Sequence, residues 1–164
     1  SQKNIVNKKK SIETFVESVT DIIDSAKNCG IKIALEPNVV EEFNLLKNKN
    51  EVLLFADLDE IKQFYSIFKK KDVGLLLDLG HTAVTSHWLN FDRNEFVKFC
   101  VDKAFAVHLS NNNGKKDQHR SITKKCWQVS KLKLFKKHPI TLETMNLDIN
   151  KIKYNLKIAE NAIK

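Results

Sequence analysis

No stretch of this sequence is apolar for long enough to cross a bilayer as a helix. Cysteine is scarce: Cys29, Cys100 and Cys126 are odd in number, far apart, and make no Cys-x-x-Cys pair. That pattern argues against a disulfide framework and against a thiolate zinc site, so free thiols in a reducing, cytoplasmic setting are expected. The first ten residues, Ser-Gln-Lys-Asn-Ile-Val-Asn-Lys-Lys-Lys, lack the apolar centre of a secretory leader. No internal repeat stands out either.

What is there is an ordinary globular composition, 42% hydrophobic and 29% charged. A chain of 164 residues is expected to form a single domain, residues 1–164, whose core needs no cross-links. The net charge of +8 would draw phosphate, on nucleic acid or on a small anionic substrate. The lysines are spread through the chain, however, and a run such as Lys69 to Lys71 suits the C-terminal end of a helix. The charge is therefore read as compositional drift, with nucleic acid the lesser partner class and no membrane partner.

The stretch Val73-Gly-Leu-Leu-Leu-Asp78-Leu-Gly-His81 organises the rest. Its apolar run is too short for a helix and too continuous for a half-exposed strand, so it reads as a strand of a parallel sheet buried on both faces. An ionised Asp78 at that depth needs a cation or several donors; the plainer reading is that it caps the turn that follows. Three other strands are predicted: residues 31–36, ending in Glu36; 104–109, with His108 near its end; and 139–143, ending in Glu143.

Between them the periodicity predicts helices. The first spans 11–28, with Ser11 as N-cap, Gly30 as the stop, and Ile12, Phe15, Val16, Val19, Ile22, Ile23 and Ala26 on its apolar face. Residues 39–50 fit a short helix or a packed loop, and the apolar residues 51–56 a loop lying over the sheet. Asp57 and Glu60 have capping-box spacing and open a helix to about Phe68. A loop is expected from Thr82 to Phe91, holding His87 and Trp88. Asp92 and Glu95 then open a helix to about Lys103, residues 110–121 form a polar loop, and 122–137 hold a helical segment. Asp148 caps a last helix with Ile149, Ile152, Leu156, Ala159 and Ile163 facing the core.

Strands alternating with helices imply parallel pairing through right-handed crossovers. Glu36, Asp78, His108 and Glu143 would then share the rim formed by the strands' C-terminal ends, where sites of such sheets form. Three carboxylates there would repel one another, and a divalent ion resolves the conflict. Oxygen-rich ligation with one histidine suits Mn²⁺, Mg²⁺, Co²⁺ or Fe²⁺, with Zn²⁺ also admitted. His81, Asp117 and His119 are candidates for a further metal or for substrate contact; His138 is read as structural and His87 as a loop residue.

Leu35-Glu36-Pro37-Asn38, Leu77-Asp78-Leu79-Gly80-His81, Val107-His108-Leu109, Asp117-Gln118-His119 and Leu142-Glu143-Thr144 occur in the order seen in the xylose isomerase-like TIM-barrel superfamily. The chain resembles strands five to eight of such a barrel. The resemblance implies an α/β fold, a parallel (βα)4 half of a TIM barrel, expected to pair with a second copy or to belong to a longer protein. It also implies a sugar or sugar-phosphate isomerase or epimerase. Residues matching Glu36, Asp78, His108 and Glu143 would hold a divalent metal, the two glutamates would move protons through a metal-stabilised cis-enediolate, and His81 would contact substrate. In the apurinic-site endonuclease branch (endonuclease IV-like), the positions of Asp117 and His119 bind a further zinc. A non-catalytic half-barrel scaffold is the third reading. Two departures bear on the substrate: Ser110-Asn111-Asn112-Asn113 stands where many relatives carry an aspartate, and Arg120-Ser121-Ile122-Thr123 replaces a glycine-rich turn.

Overall fold

A computed structural model describes residues 7–164, and six of the first ten residues read above for a leader lie outside it. The element order is α1 (Lys8–Asn28), β1 (Ile33–Leu35), a 3-10 turn at Glu42–Asn44, α2 (Leu58–Ile67), β2 (Val73–Asp78), α3 (Leu79–Trp88), α4 (Arg93–Cys100), β3 (Ala104–Leu109), α5 (Trp127–Lys131) with a 3-10 turn at Leu132–Phe135, β4 (Ile140–Leu142) and α6 (Ile149–Ile163). The four strands form one sheet in the order β1-β2-β3-β4, every pair parallel. The parallel sheet is the one expected from the alternation of elements, and the α/β half-barrel is the one the resemblance implies. Among the described residues no helix is long and apolar enough to cross a membrane.

Strand parity places the core. Val73, Leu75 and Leu77 of β2 and Val107 and Leu109 of β3 point to the helix side, where they meet Ile61, Phe64, Phe96, Leu132, Phe135 and Ile158. The alternate residues face the concave side, which carries the strand-end carboxylates. That side is crowded at its base. The register slips between Leu75 and Leu76, which adds Phe105 to β3, and the Phe105 ring lies against Gly74 so closely that a Cβ there would collide with it. Gly74→Ala is expected to cost about 1–3 kcal/mol through this overpacking, read as a lower urea midpoint with an unchanged m-value.

Helix ends follow their caps. Asn7, not Ser11, caps α1, its Oδ1 accepting from Lys9 N at 3.0 Å, so the helix starts three residues earlier than expected. Gly30 does follow the helix in the left-handed region, at φ 67°. Asp57 caps α2, and Asp92 and Asp148 cap α4 and α6. Glu60 reaches back to Ala56 N rather than to the cap residue itself.

Two expectations are corrected. The loop foreseen from Thr82 is the helix α3, which places His87 in a last helical turn. Leu79, Gly80 and Thr82 through Ser86 are all buried, so the segment has no polar face and its sequence no helical period. The last helix is also turned from its expected face: Ile149, Ile152 and Leu156 are 62%, 37% and 45% exposed, while Asn155, Ile158 and Ala159 face inward. Asn155 explains the rotation. Its Oδ1 accepts from Ile122 N at 2.6 Å and its Nδ2 donates to Ser121 Oγ at 2.8 Å, so a buried amide holds the end of the 110–121 loop.

Candidate metal centre

Asp78 ends β2 and does two jobs at once. Its Oδ1 accepts from His81 N at 2.8 Å and so caps α3, while Oδ2 is buried, has no hydrogen-bond partner and faces the rim. The capping reading therefore holds for Oδ1, and Oδ2 is left free toward the rim. Capping also fixes where His81 goes: the first turn of α3 carries it over the strand ends.

Register brings the other groups in. Asp78 pairs with His108 across β2 and β3, and His108 with Thr141 across β3 and β4, two residues before Glu143. Glu36 follows β1. His108 Nδ1 lies 3.2 Å from Glu143 Oε2, 3.5 Å from Glu36 Oε1 and 3.9 Å from Asp78 Oδ2. Glu36, Asp78, His108 and Glu143 each offer one donor atom, all within 4.8 Å of one another.

A second group adjoins the first. His81, Asp117 and His119 also bring one donor atom each within 4.8 Å of the others. Asp117 Oδ2 is 3.2 Å from His81 Nε2 and 2.9 Å from His119 Nε2. His81 joins the two groups, its Nδ1 lying 3.4 Å from Glu36 Oε1. His119 has a left-handed backbone, φ 46°, which costs a residue with a Cβ roughly 1 kcal/mol. The arm is held by paired backbone bonds between Asn111 and Arg120 and by Met145 N donating to His119 O at 2.8 Å. Strain held in place this way puts the imidazole at a set point.

Electrostatics record the crowding. Burial disfavours charge on His81, but its hydrogen bond to Asp117 and the carboxylates of Asp78, Asp117 and Glu36 prevail, and its pKa rises to about 9. Asp117 is held below the usual carboxylate range by His81 and His119 against the opposing effect of burial. Glu143 is pushed up, by burial and then by its contact with Asp78. For His81 the folded-state pKa lies above the ordinary 6.5, so its stabilisation is complete below pH 6.5 and is lost as pH rises through about 9. The metal-free chain should lose up to about 3 kcal/mol from this group over that window, read by urea melts from pH 6 to 10.

Residues 2–160 match the family described as xylose isomerase-like TIM barrel. The chain belongs to this family. Of curated proteins, an uncharacterized protein of Methanocaldococcus jannaschii is 24% identical over 115 residues, which is 70% of this chain and 38% of that one. Of solved structures, the crystal structure of a D-tagatose 3-epimerase-like protein shares the fold with a TM-score of 0.66 at 20% identity, over 90% of this chain and 55% of that one. This xylose isomerase-like chain thus spans less than two thirds of either relative.

The donor chemistry fits a divalent ion. Among the described residues eight buried side-chain polar atoms lack a hydrogen-bond partner, and five of them belong to the two groups: Asp78 Oδ2, His81 Nδ1, His108 Nδ1, Asp117 Oδ1 and Glu143 Oε2. Orphaned donors and acceptors are costly, and three of these, Asp78 Oδ2, His108 Nδ1 and Glu143 Oε2, face one another where a cation would satisfy them. His119 Nδ1 lies 3.0 Å from Glu143 O, and a bond from Nδ1–H to that carbonyl leaves Nε2 its lone pair, the arrangement usual for a metal-ligating histidine. His138 stays apart from both groups, its ring against Phe135. Sequence reasoning missed one contributor: Glu41, whose Oε1 accepts from Asp117 N at 2.8 Å. Nothing in its spacing could have revealed a contact spanning 76 residues.

Proposed function

We propose that this chain carries the site of a metal-dependent sugar or sugar-phosphate isomerase or epimerase. The observation that supports it most is the meeting of Glu36, Asp78, His108 and Glu143 at one focus. These four residues would hold a divalent ion, which supplies Lewis acidity toward the oxygens of a bound substrate. Asp78 and His108, paired on the central strands, are the fixed half of the set. Glu36 and Glu143 come from the two outer strands and are less buried, so they can also reach substrate. One of them takes a proton from the carbon beside the substrate carbonyl, giving a cis-enediolate, and the other returns a proton to the neighbouring carbon or to the opposite face. His81, half-buried between both groups, orients substrate oxygen.

The second group favours a second reading, an apurinic-site endonuclease relative that uses several zinc ions. There His81, Asp117 and His119 would hold a further ion, and the basic net charge would favour the phosphate backbone. One assay separates the two. With Mn²⁺ or Zn²⁺, the chain is tested on a panel of ketose and aldose phosphates in D₂O and on an abasic-site oligonucleotide. The isomerase reading expects ion-dependent solvent deuterium beside the sugar carbonyl and an uncut oligonucleotide. Salt-sensitive strand cleavage without deuterium exchange transfers the site to the nuclease class. Absence of both, with ions bound, leaves a ligand-holding scaffold and refutes both enzyme readings.

A further inference from the structure

Glu41 lies on a segment that is itself fastened down. Asn38 N donates to Phe55 O at 2.9 Å, Asn38 Nδ2 to Leu54 O at 2.7 Å, and Val40 N to the buried Thr85 Oγ1 of α3 at 3.0 Å. Glu41's own N–H donates to Asn44 Oδ1 at 2.9 Å. From this platform its carboxylate crosses to the polar loop and accepts the Asp117 N–H at 2.8 Å. An ionised acceptor makes this the stronger kind of hydrogen bond. The other contacts of this part of the loop hold its neighbours and not the Asp117 N–H: Trp88 Nε1 donates to Lys115 O at 2.8 Å, Asn113 Oδ1 accepts from Lys115 N and Lys116 N, Gln118 Oε1 accepts from Asn113 N at 3.1 Å, and Asn112 bonds Gly114 N and Gly80 O.

From this geometry we infer that Glu41 is a positioning residue for the second group. It touches none of the three donor atoms. It sets the backbone from which Asp117 projects, and so the distance from Asp117 Oδ2 to His81 and His119. It also ties the loop after Glu36 to the loop bearing Asp117 and His119, so that the two groups are built against each other. The inference rests on the reading that both groups hold divalent ions. A residue that orients a ligand from behind typically changes metal affinity by about 10- to 100-fold when removed.

The test is a titration of the metal-free chain with Co²⁺, followed by calorimetry and by the visible spectrum of the bound ion. The wild type is expected to bind two equivalents, one per group. Glu41→Ala should weaken the second equivalent by about 10- to 100-fold and leave the first within about twofold. Glu41→Gln keeps an acceptor oxygen for the Asp117 N–H and should restore the second equivalent to within about threefold of wild type. Circular dichroism melts of both variants confirm folding, and the Gln variant decides if the Ala variant does not fold. Two equivalents of unchanged affinity in Glu41→Ala overturn the inference while leaving the metal reading intact. A Gln variant as weak as the Ala variant also overturns it, since the bond geometry would then not be what matters. A wild type that binds no ion overturns the metal reading and the inference with it; a wild type that binds one overturns the inference alone.

Discussion

Glu36→Gln and Glu143→Gln are each expected to lower kcat by about 100- to 10,000-fold, with Lys124→Ala unchanged within about twofold. Glutamine matches glutamate in shape and keeps an oxygen toward the focus, so the fold is preserved. It cannot accept a proton at neutral pH, and it is a weaker donor to a cation. The two losses are separated by measuring kcat at saturating ion: a deficit that extra Mn²⁺ repairs was a binding deficit, and one that persists was proton transfer. If Glu36 and Glu143 move protons on opposite faces of the substrate, the two variants differ in kind. The one lacking the base should stop solvent exchange, and the one lacking the returning acid should still exchange while failing to form product. Unchanged rates in both variants would refute the assignment.

The second large effect is on stability. A divalent ion that binds the folded chain and not the unfolded one, at a thousand times its Kd, adds about 4 kcal/mol. For a chain of this size that raises Tm by about 8–16 °C. The sign of the Glu143→Gln effect should depend on the ion. In the metal-free chain, Glu143 is pushed up by burial and by Asp78, so folding brings two acids together at a cost. Glu143→Gln removes that repulsion, and the metal-free variant should melt no lower than wild type above pH 7. With Mn²⁺ present the order reverses, because the variant has lost a ligand. A carboxylate with a purely structural role would give the same order in both conditions.

Much of this was legible in the sequence because strand ends and caps are local signals. Four short apolar runs separated by helical periods gave the parallel sheet, and once the sheet was parallel Glu36, Asp78, His108 and Glu143 had to share a rim. The buried helix α3 was misread for a physical reason: periodicity reports a difference between two faces, and Leu79, Gly80 and Thr82 to Ser86 are buried all round. In α6 the same signal misled in the other direction, since Ile149, Ile152 and Leu156 make an apolar stripe that stays exposed while a satisfied amide, Asn155, turns inward. His81, Asp117 and His119 could be named as candidates by residue type, but that they meet was not legible, because loop residues carry no period. Glu41 carried no signal at all, since its value lies in one hydrogen bond to a distant backbone group.

The central claim is that four strand-end groups share one cation. Crystals of the chain grown with Mn²⁺ and measured at the manganese edge test it directly. An anomalous peak is expected at bonding distance from Glu36, Asp78, His108 and Glu143 together. A peak elsewhere with this rim left empty, or no peak from protein soaked well above any plausible Kd, would contradict it.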